Sequence, residues 1–587
     1  MTETASTTSL DTRELFVRAL RRALRPIVRL MIRSGIRYDE FVDAARRAYV
    51  ESAIRDADKD APRPTRDQVV RQTGIRRELV DHYIDDDDPL AQDDVDISRV
   101  ATELLHVWHT DSRYRGPSDN PLDLEFDGPN EPNFRSMTAE VCAQADPGAT
   151  LELLIHGKAV AWVEGNRLHA LSRFLIFPKA AISMFDYWGA TLAHVIDTHA
   201  YNFNSRDANN KRLERSVFAD HGLPAELLAE FHSVAQKRIS QFLCDLDDWL
   251  GQTRYVKSDD TIPRVQIGVH AFFYVEDPQD PDATLQPSEH SPRLSDRNVT
   301  TMTRSDRTRS KVILALRRVL QSLARLLLRV GIRSDEFEVI VRRAHIECAT
   351  HDFSSQRKPR RERIAILTGL SRNQVNLASN IEAPYTTGDS TLRPLLVEVL
   401  QKWHTAVGYG GPYGIPLELE LSDPPDRCIR SLVEMAAPGA DAEEILEELI
   451  RSGSVVRAGV KRYLPASRFF IMSDPASPAL IEAFGMTVSR LSTTFEYNMD
   501  SRHDQKRYER CVDADRGLPA HLAPEFERYA RTKATNFMIE LDNWITAHSR
   551  GEPKVHRDQK RFDTGVNVCL YIESWPAVPE PLPSLVD

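Results

Sequence analysis

The chain has 587 residues, of which 41% are hydrophobic and 28% charged. These are globular values and exclude collagen-like, wholly disordered and membrane-embedded classes. The net charge of −11 argues, on average, against a nucleic-acid partner. At roughly 100–200 residues per domain, about three to six domains are expected.

In chain order, residues 1–12 are polar and rich in Ser and Thr, with no apolar core of a secretory signal, and read as disordered. From residue 13 the chain reads as one unit written twice, at an offset of about 295 residues. Gly35-Ile36-Arg37 recurs as Gly331-Ile332-Arg333, and Asp39-Glu40-Phe41 as Asp335-Glu336-Phe337. Trp108-His109-Thr110 recurs as Trp403-His404-Thr405, and Gly222-Leu223-Pro224 as Gly517-Leu518-Pro519. A repeat this long predicts two similar bodies rather than a solenoid. The expected regions are a helix-turn-helix region (13–97 and 309–391), a winged-helix-like region (98–175 and 392–470) and a helical region (176–276 and 471–575). A Pro-, Asp- and Ser-rich linker spans 277–308, and a loose tail follows at 576–587. The expected fold is mainly α, two tandem copies with small β-hairpins, each copy folding independently.

The second copy shows the elements best. Apolar residues at helical spacing predict a helix over 311–329, ended by Gly331. Further helices are expected over 335–350, 361–368, 372–380 and 392–404. Residues 408–425 read as irregular. Helices over 427–437 and 441–452 precede two short strands, 453–457 and 460–464. Helices over 476–498, 502–512 and 521–547 lead to a last strand, 565–572, matching 268–275 in the first copy.

Helices 361–368 and 372–380 carry a helix-turn-helix pattern: Ala365 where the helices approach, Gly369 where the chain turns, and Val375 to pin the second helix. Val70, Gly74 and Val80 repeat it. Residues 301–380 hold 17 Lys and Arg against 7 Asp and Glu, and residues 1–80 hold 17 against 12. Basic charge thus concentrates on these segments, as a phosphate-binding footprint would. The candidate DNA contacts are Arg357, Lys358, Arg360, Arg361 and Arg363 at the start of the motif. Ser371, Arg372, Asn373 and Asn376 lie on the second helix, and Arg457, Lys461 and Arg462 on the wing-like hairpin. Arg76 and Arg77 are the first-copy equivalents. Arg forks onto guanine and Asn onto adenine, so the second copy is the expected reader. Glu78, Asp81 and Asp85 to Asp88 weaken the first.

The runs Arg-Leu-Leu-Leu-Arg-x-Gly-Ile, Asp-Glu-Phe, Ile-Ala-x-Leu-Thr-Gly-Leu-Ser-Arg and Trp-His-Thr resemble a bacterial family of unknown function with a predicted N-terminal helix-turn-helix. The resemblance covers nearly both copies and implies a cytoplasmic, DNA-associated protein without an established activity. No GxSxG, P-loop, GxGxxG, HExxH or paired-Cys motif occurs, so no catalysis, cofactor or metal is expected. His109 and His404 read as structural, and Ser205 and Ser501 as helix caps. Trp108, Trp403, Trp249 and Trp544 read as core anchors. The six cysteines, without a CxxC pair, suit a reducing compartment. The partner expected is double-stranded DNA, with a protein partner or self-association as the alternative, and no membrane.

Overall fold

The computed structural model describes residues 12–55, 64–85, 97–116, 120–128, 132–175, 183–205, 210–219, 222–253, 262–276, 302–353, 361–380, 392–410, 416–436, 438–451, 454–466, 478–500, 503, 505–514, 517–549 and 560–574. The first copy opens with α1 (Thr12–Arg33), α2 (Tyr38–Arg55), α3 (Arg66–Thr73) and α4 (Arg77–Asp85). Next come α5 (Ile97–Thr110), β1 (Leu124–Glu125), α6 (Phe134–Val141), α7 (Pro147–His156), β2 (Val160–Val163) and β3 (Arg167–Ala170). It closes with α8 (Ser183–Asn204), β4 (Glu214–Phe218), β5 (Leu223–Pro224), α9 (Ala225–Thr253) and β6 (Arg264–Glu276). The second copy repeats this order. Its parts are α10 (Met302–Arg329), α11 (Ser334–His351), α12 (Arg361–Thr368), α13 (Arg372–Asn380), α14 (Leu392–Thr405), β7 (Leu419–Glu420), α15 (Ile429–Ala436) and α16 (Ala442–Arg451). Then follow β8 (Val455–Arg457), β9 (Arg462–Pro465), α17 (Pro478–Met499), β10 (Glu509–Asp513), β11 (Leu518–Pro519), α18 (Ala523–Ser549) and β12 (Arg561–Ser574). The molecule is mainly helical, with small antiparallel sheets.

The expectation of two independent bodies is overturned. The largest sheet runs β10-β6-β12-β4, so strands of the two copies alternate across it. β6 and β12 pair antiparallel along nearly their whole length, with Ala271 opposite Val568. Gly268 faces Tyr571 and Tyr274 faces Gly565. Each residue thus faces the counterpart of its partner's own position, the signature of a two-fold interface. The two copies form an intrachain pseudo-dimer.

The helices follow the same exchange. α10 lies along α8 and α2 of the first copy, while α1 lies along α17 and α11 of the second. Two glycines permit the closest crossings. A Cβ at Gly189 would lie 2.7 Å from the Ala315 carbonyl oxygen, and one at Gly485 the same distance from that of Ala19. α2 and α11 cross antiparallel at the centre, where Tyr49 meets Phe337 and the His345 ring stands edge-on to Tyr38 and Phe41. One apolar core therefore runs from Phe16 and Leu24 through Trp188 to Leu320 and Phe484. A second lies between the sheet, α9 and α18.

Local structure differs from expectation at three further places. Residues 509–512, the end of the helix expected over 502–512, fall in β10 against β6; alternation of side chains across that sheet outweighs the helical preference of Lys, Arg and Glu. The residues that follow Ser205, and Ser501 itself, lie outside the described residues. The segment expected as irregular supplies β7, the third strand of a sheet ordered β7-β9-β8, just as β1 joins β3 and β2. α10 begins at Met302, inside the expected linker.

Candidate nucleic-acid interface

Each copy carries the helix, glycine turn and helix read from the sequence. Gly74 has φ +73° and Gly369 φ +75°, the left-handed conformation that glycine takes without steric cost. Val80 and Val375 are fully buried. The turns also lean on the other copy. A Cβ at Gly74 would lie 3.0 Å from an Asp335 carboxylate oxygen, and one at Gly369 2.9 Å from Cβ of Arg37. Each turn is thus seated on the other copy's Gly-Ile-Arg corner. Gly74 therefore lies at the start of α11, and Gly369 at the start of α2.

The second-copy hairpin presents part of the expected surface. Arg361, Arg363, Ser371, Arg372 and Asn373 are exposed. Arg372 is 72% exposed at its side chain, with Glu362 3.8 Å away. Arg363 donates to the Phe353 carbonyl at 3.1 Å. The Ser371 hydroxyl accepts from Gln374 N at 3.3 Å, and Gln374 Oε1 accepts from Ser371 N at 2.8 Å. That is a capping box, so Ser371 starts α13. Asn376 is half-buried, and its Oδ1 is shut off from solvent. Arg357, Lys358 and Arg360 lie outside the described residues.

The first-copy hairpin is neutralised by its own acids. Arg66 reaches Asp81 at 2.9 Å and Asp85 at 2.6 Å. Arg77 reaches Asp67 at 2.6 Å and Asp81 at 3.1 Å. Hydrogen bonds from Arg66 hold the Asp81 and Asp85 carboxyls below their ordinary range. Arg76 is exposed just before α4. At the positions of Asp81 and Asp85 the second copy has Asn376 and Asn380. The acids were expected to repel phosphates; their larger effect is to occupy Arg66 and Arg77.

The basic footprint has a second explanation as well. Many arginines of these segments face acids of the other copy. Arg13 pairs with Glu336, Arg25 with Asp352 at 3.2 Å, and Arg46 with Glu338 at 2.7 Å. Arg29 and Arg33 converge on the buried Glu496 at 2.7 and 2.8 Å. In reverse, Arg309 meets Glu40 at 2.5 Å and Arg325 meets Asp197 at 3.1 Å. Much of the charge read as a phosphate footprint is therefore a seam between the copies.

The winged-helix-like region is positioned differently from the hairpins. Arg457, Lys461 and Arg462 are exposed on the β8–β9 hairpin, and Arg462 lies 3.6 Å from Glu418 and 3.8 Å from Glu420. The helix before that hairpin, α16, exposes Glu443, Glu444 and Glu447. Trp162 is 46% exposed on the equivalent hairpin of the first copy, and Val460 is fully exposed at the tip of the second.

Of the residues expected as core anchors, Trp249 and Trp544 are half-buried against the second core. Trp108 and Trp403 are fully buried and donate to the Leu122 and Leu417 carbonyls at 2.8 and 2.9 Å. His109 and His404 bond to the carbonyls four residues earlier at 2.8 Å each. Asp247 is held by His106 and Arg173. Among the described residues, no group of three or more His, Cys, Asp and Glu is placed to hold a metal ion, and no helix is long and apolar enough to cross a membrane.

Sequence reasoning passed over one set of residues. Lys211-Arg212-Leu213-Glu214-Arg215 recurs as Lys506-Arg507-Tyr508-Glu509-Arg510, and both runs enter the buried edge of the large sheet. Charged residues this dense, retained by both copies beside an apolar strand, were the available signal. Among known proteins, no curated protein and no solved structure matches the chain. A single family's model matches it twice, over residues 13–282 and 309–578. The chain belongs to that family, the family of unknown function DUF6502.

Proposed function

We propose that the chain binds duplex DNA as an intrachain pseudo-dimer, with α12–α13 as the reading hairpin and α3–α4 as a silenced counterpart. The observation that carries this reading is the contrast between Arg372 and Arg77. Arg372 stands 72% exposed with a single acid at 3.8 Å and Asn373 beside it, groups suited to base edges. Arg77, its equivalent, is occupied by Asp67 and Asp81. The pseudo-two-fold supports the reading in that it gives the chain two equivalent hairpins, as a symmetric dimer would have.

The test is a mobility shift of the full chain on random duplex DNA across a salt series. Binding is expected to weaken steeply with salt. Arg372→Ala is expected to cost about 1–3 kcal/mol, and Arg77→Ala much less. Equal losses, or a larger loss at Arg77, would reverse the roles of the copies.

A specific observation favours a second reading, a protein partner. The exposed acids of α16 oppose phosphate docking at the β8–β9 hairpin, and the two equivalent hairpins expose Trp162 on β2 and Val460 at the second tip. No binding of duplex at any low salt would leave this reading in place of the first.

A further inference from the structure

Beyond the ends of α8 and α17, each copy draws an arginine inward, Arg507 buried and Arg212 half-buried. Asn202 Oδ1 accepts from Arg212 N at 2.9 Å, and Asn498 Oδ1 from Arg507 N at 2.8 Å. The same asparagines donate back to the Arg212 and Arg507 carbonyls at 3.3 and 2.9 Å. This clamp aims both side chains identically. Each guanidinium lies 4.2 Å from a tyrosine ring centre, Arg212 over Tyr201 and Arg507 over Tyr497.

Neither arginine has a carboxylate within 4.0 Å among the described residues. Arg507 is only 7% exposed, and its Nη1 is buried without a hydrogen-bond partner. Nε of Arg212 is in the same state. Burial lowers the affinity of both for their proton, Arg507 to about 10. Burial lowers His232 on α9 too, with Arg507 adding to the effect. Around Arg212, burial and the nearby Arg531 lower Arg215 to about 10, while Arg531 donates to the Lys211 carbonyl at 2.7 Å and to Glu527 at 2.7 Å.

A buried cation lacking an acid is costly, and a ring face offsets only part of that. Glu276 acts on Arg507, and Asp197 and Glu527 on Arg212, only from beyond ion-pair distance. An unpartnered guanidinium N–H, here Nη1 of Arg507 and Nε of Arg212, is a donor to a planar or tetrahedral oxyanion. We infer that Arg507 and Arg212 each head an oxyanion-binding site, one per copy, for a small phosphate-like anion. The inference does not depend on the DNA reading, since both arginines lie in the sheet region and not on α12–α13.

The test is thermal unfolding of the full chain in inorganic phosphate, with sulfate and chloride arms at equal ionic strength. Phosphate and sulfate are expected to raise Tm saturably, and chloride is not. The Arg507→Gln, Arg212→Gln double variant should lose the rise, and Arg507→Lys, which keeps charge but not the fork, should lose most of it. Arg372→Ala should keep it. If the double variant fails to fold, equilibrium dialysis of labelled phosphate against the wild-type chain decides, with saturable uptake expected. No saturable uptake, an equal rise in chloride, an undiminished rise in a folded double variant, or loss of the rise in Arg372→Ala would each overturn the inference.

Discussion

Two corners where a long helix meets the central strands share one plan and differ in chemistry. In one, Arg490 of α17 reaches Glu276 at 3.1 Å and Asp563 at 2.5 Å, with its guanidinium 4.0 Å from the Tyr274 ring centre. Burial works against its charge, but Asp563, Tyr274 and Glu276 more than offset this and raise its pKa. In the other, the equivalent residue is His194 of α8. It stacks on Tyr571 at 3.6 Å, lies 3.4 Å from Glu573 and shares a 2.9 Å hydrogen bond with His270. Burial and His194 keep the His270 pKa well below its ordinary value. Burial would raise the Glu573 carboxyl, yet His194 with Arg318 and Arg325 brings it to about 2. One corner holds an arginine between two acids and the other an imidazole stacked on a tyrosine beside one acid. The lesson is that fusion of two equivalent halves lets each position be chosen separately, which a dimer of identical chains cannot do. The hairpins repeat it, with Asp81 and Asp85 in one copy and Asn376 and Asn380 in the other.

The largest effect concerns the shared plan. Fragment 13–276 or 309–578 alone lacks half of the central sheet and is expected to show no cooperative unfolding by circular dichroism; mixing the two should restore it. A protease site inserted after residue 285 should leave the cut halves co-eluting on size exclusion. Separate folded halves would break the comparison at its root.

Next come the corners. Arg490→Met leaves Glu276 and Asp563 without their buried partner and should cost about 3–5 kcal/mol in denaturant unfolding. His194→Met, which removes one imidazole beside the single carboxylate of Glu573, should cost less than Arg490→Met. Equal costs for the two variants would make the corners equivalent.

A third difference lies at Glu509, whose carboxyl accepts from Tyr187 Oη at 2.7 Å. Burial raises its pKa to about 7, against the opposing pull of Tyr187 and Arg510. A raised folded pKa means that stability is lost as pH climbs from about 4.3, where the unfolded carboxyl ionises, to about 7. Glu509→Gln should therefore stabilise by up to about 3 kcal/mol at pH 8 and give no gain at pH 4. A gain independent of pH would show that the carboxyl is ionised throughout. The smallest effect is at the silenced hairpin: Asp81→Asn with Asp85→Asn, by freeing Arg66 and Arg77, should tighten duplex binding by a factor of about two to five.

Helices such as 361–368, 372–380 and 392–404 were legible to within a residue, because apolar spacing and the glycine turns are local signals. β10 was not, since Lys506 to Arg510 has helical composition and only the edge of β6, some 240 residues earlier in the chain, makes it a strand. The apolar run 268–275 was read as a strand, yet nothing within it records that its partner is its own repeat. At the candidate site, Arg372 and Asn373 were found from residue type and position. The occupation of Arg66 by Asp81 and Asp85 was not, because it spans 15 and 19 residues across two helices.

The pairing of Ala271 with Val568 also dictates an order of events during synthesis. The first copy leaves the ribosome with its long strand lacking a neighbour on either side and its first helix lacking a seat. It cannot close until the last strand emerges, almost 300 residues later. At about 5–20 residues per second, that wait is roughly 15–60 seconds. Throughout it, the apolar faces of α1, α8 and β6 stand open to any passing chain, including another nascent copy of this one. A sequence that encodes its own dimer thus meets its partner at an effective concentration fixed by the tether and independent of how much protein is made, and accepts a period of exposure as the condition for meeting it.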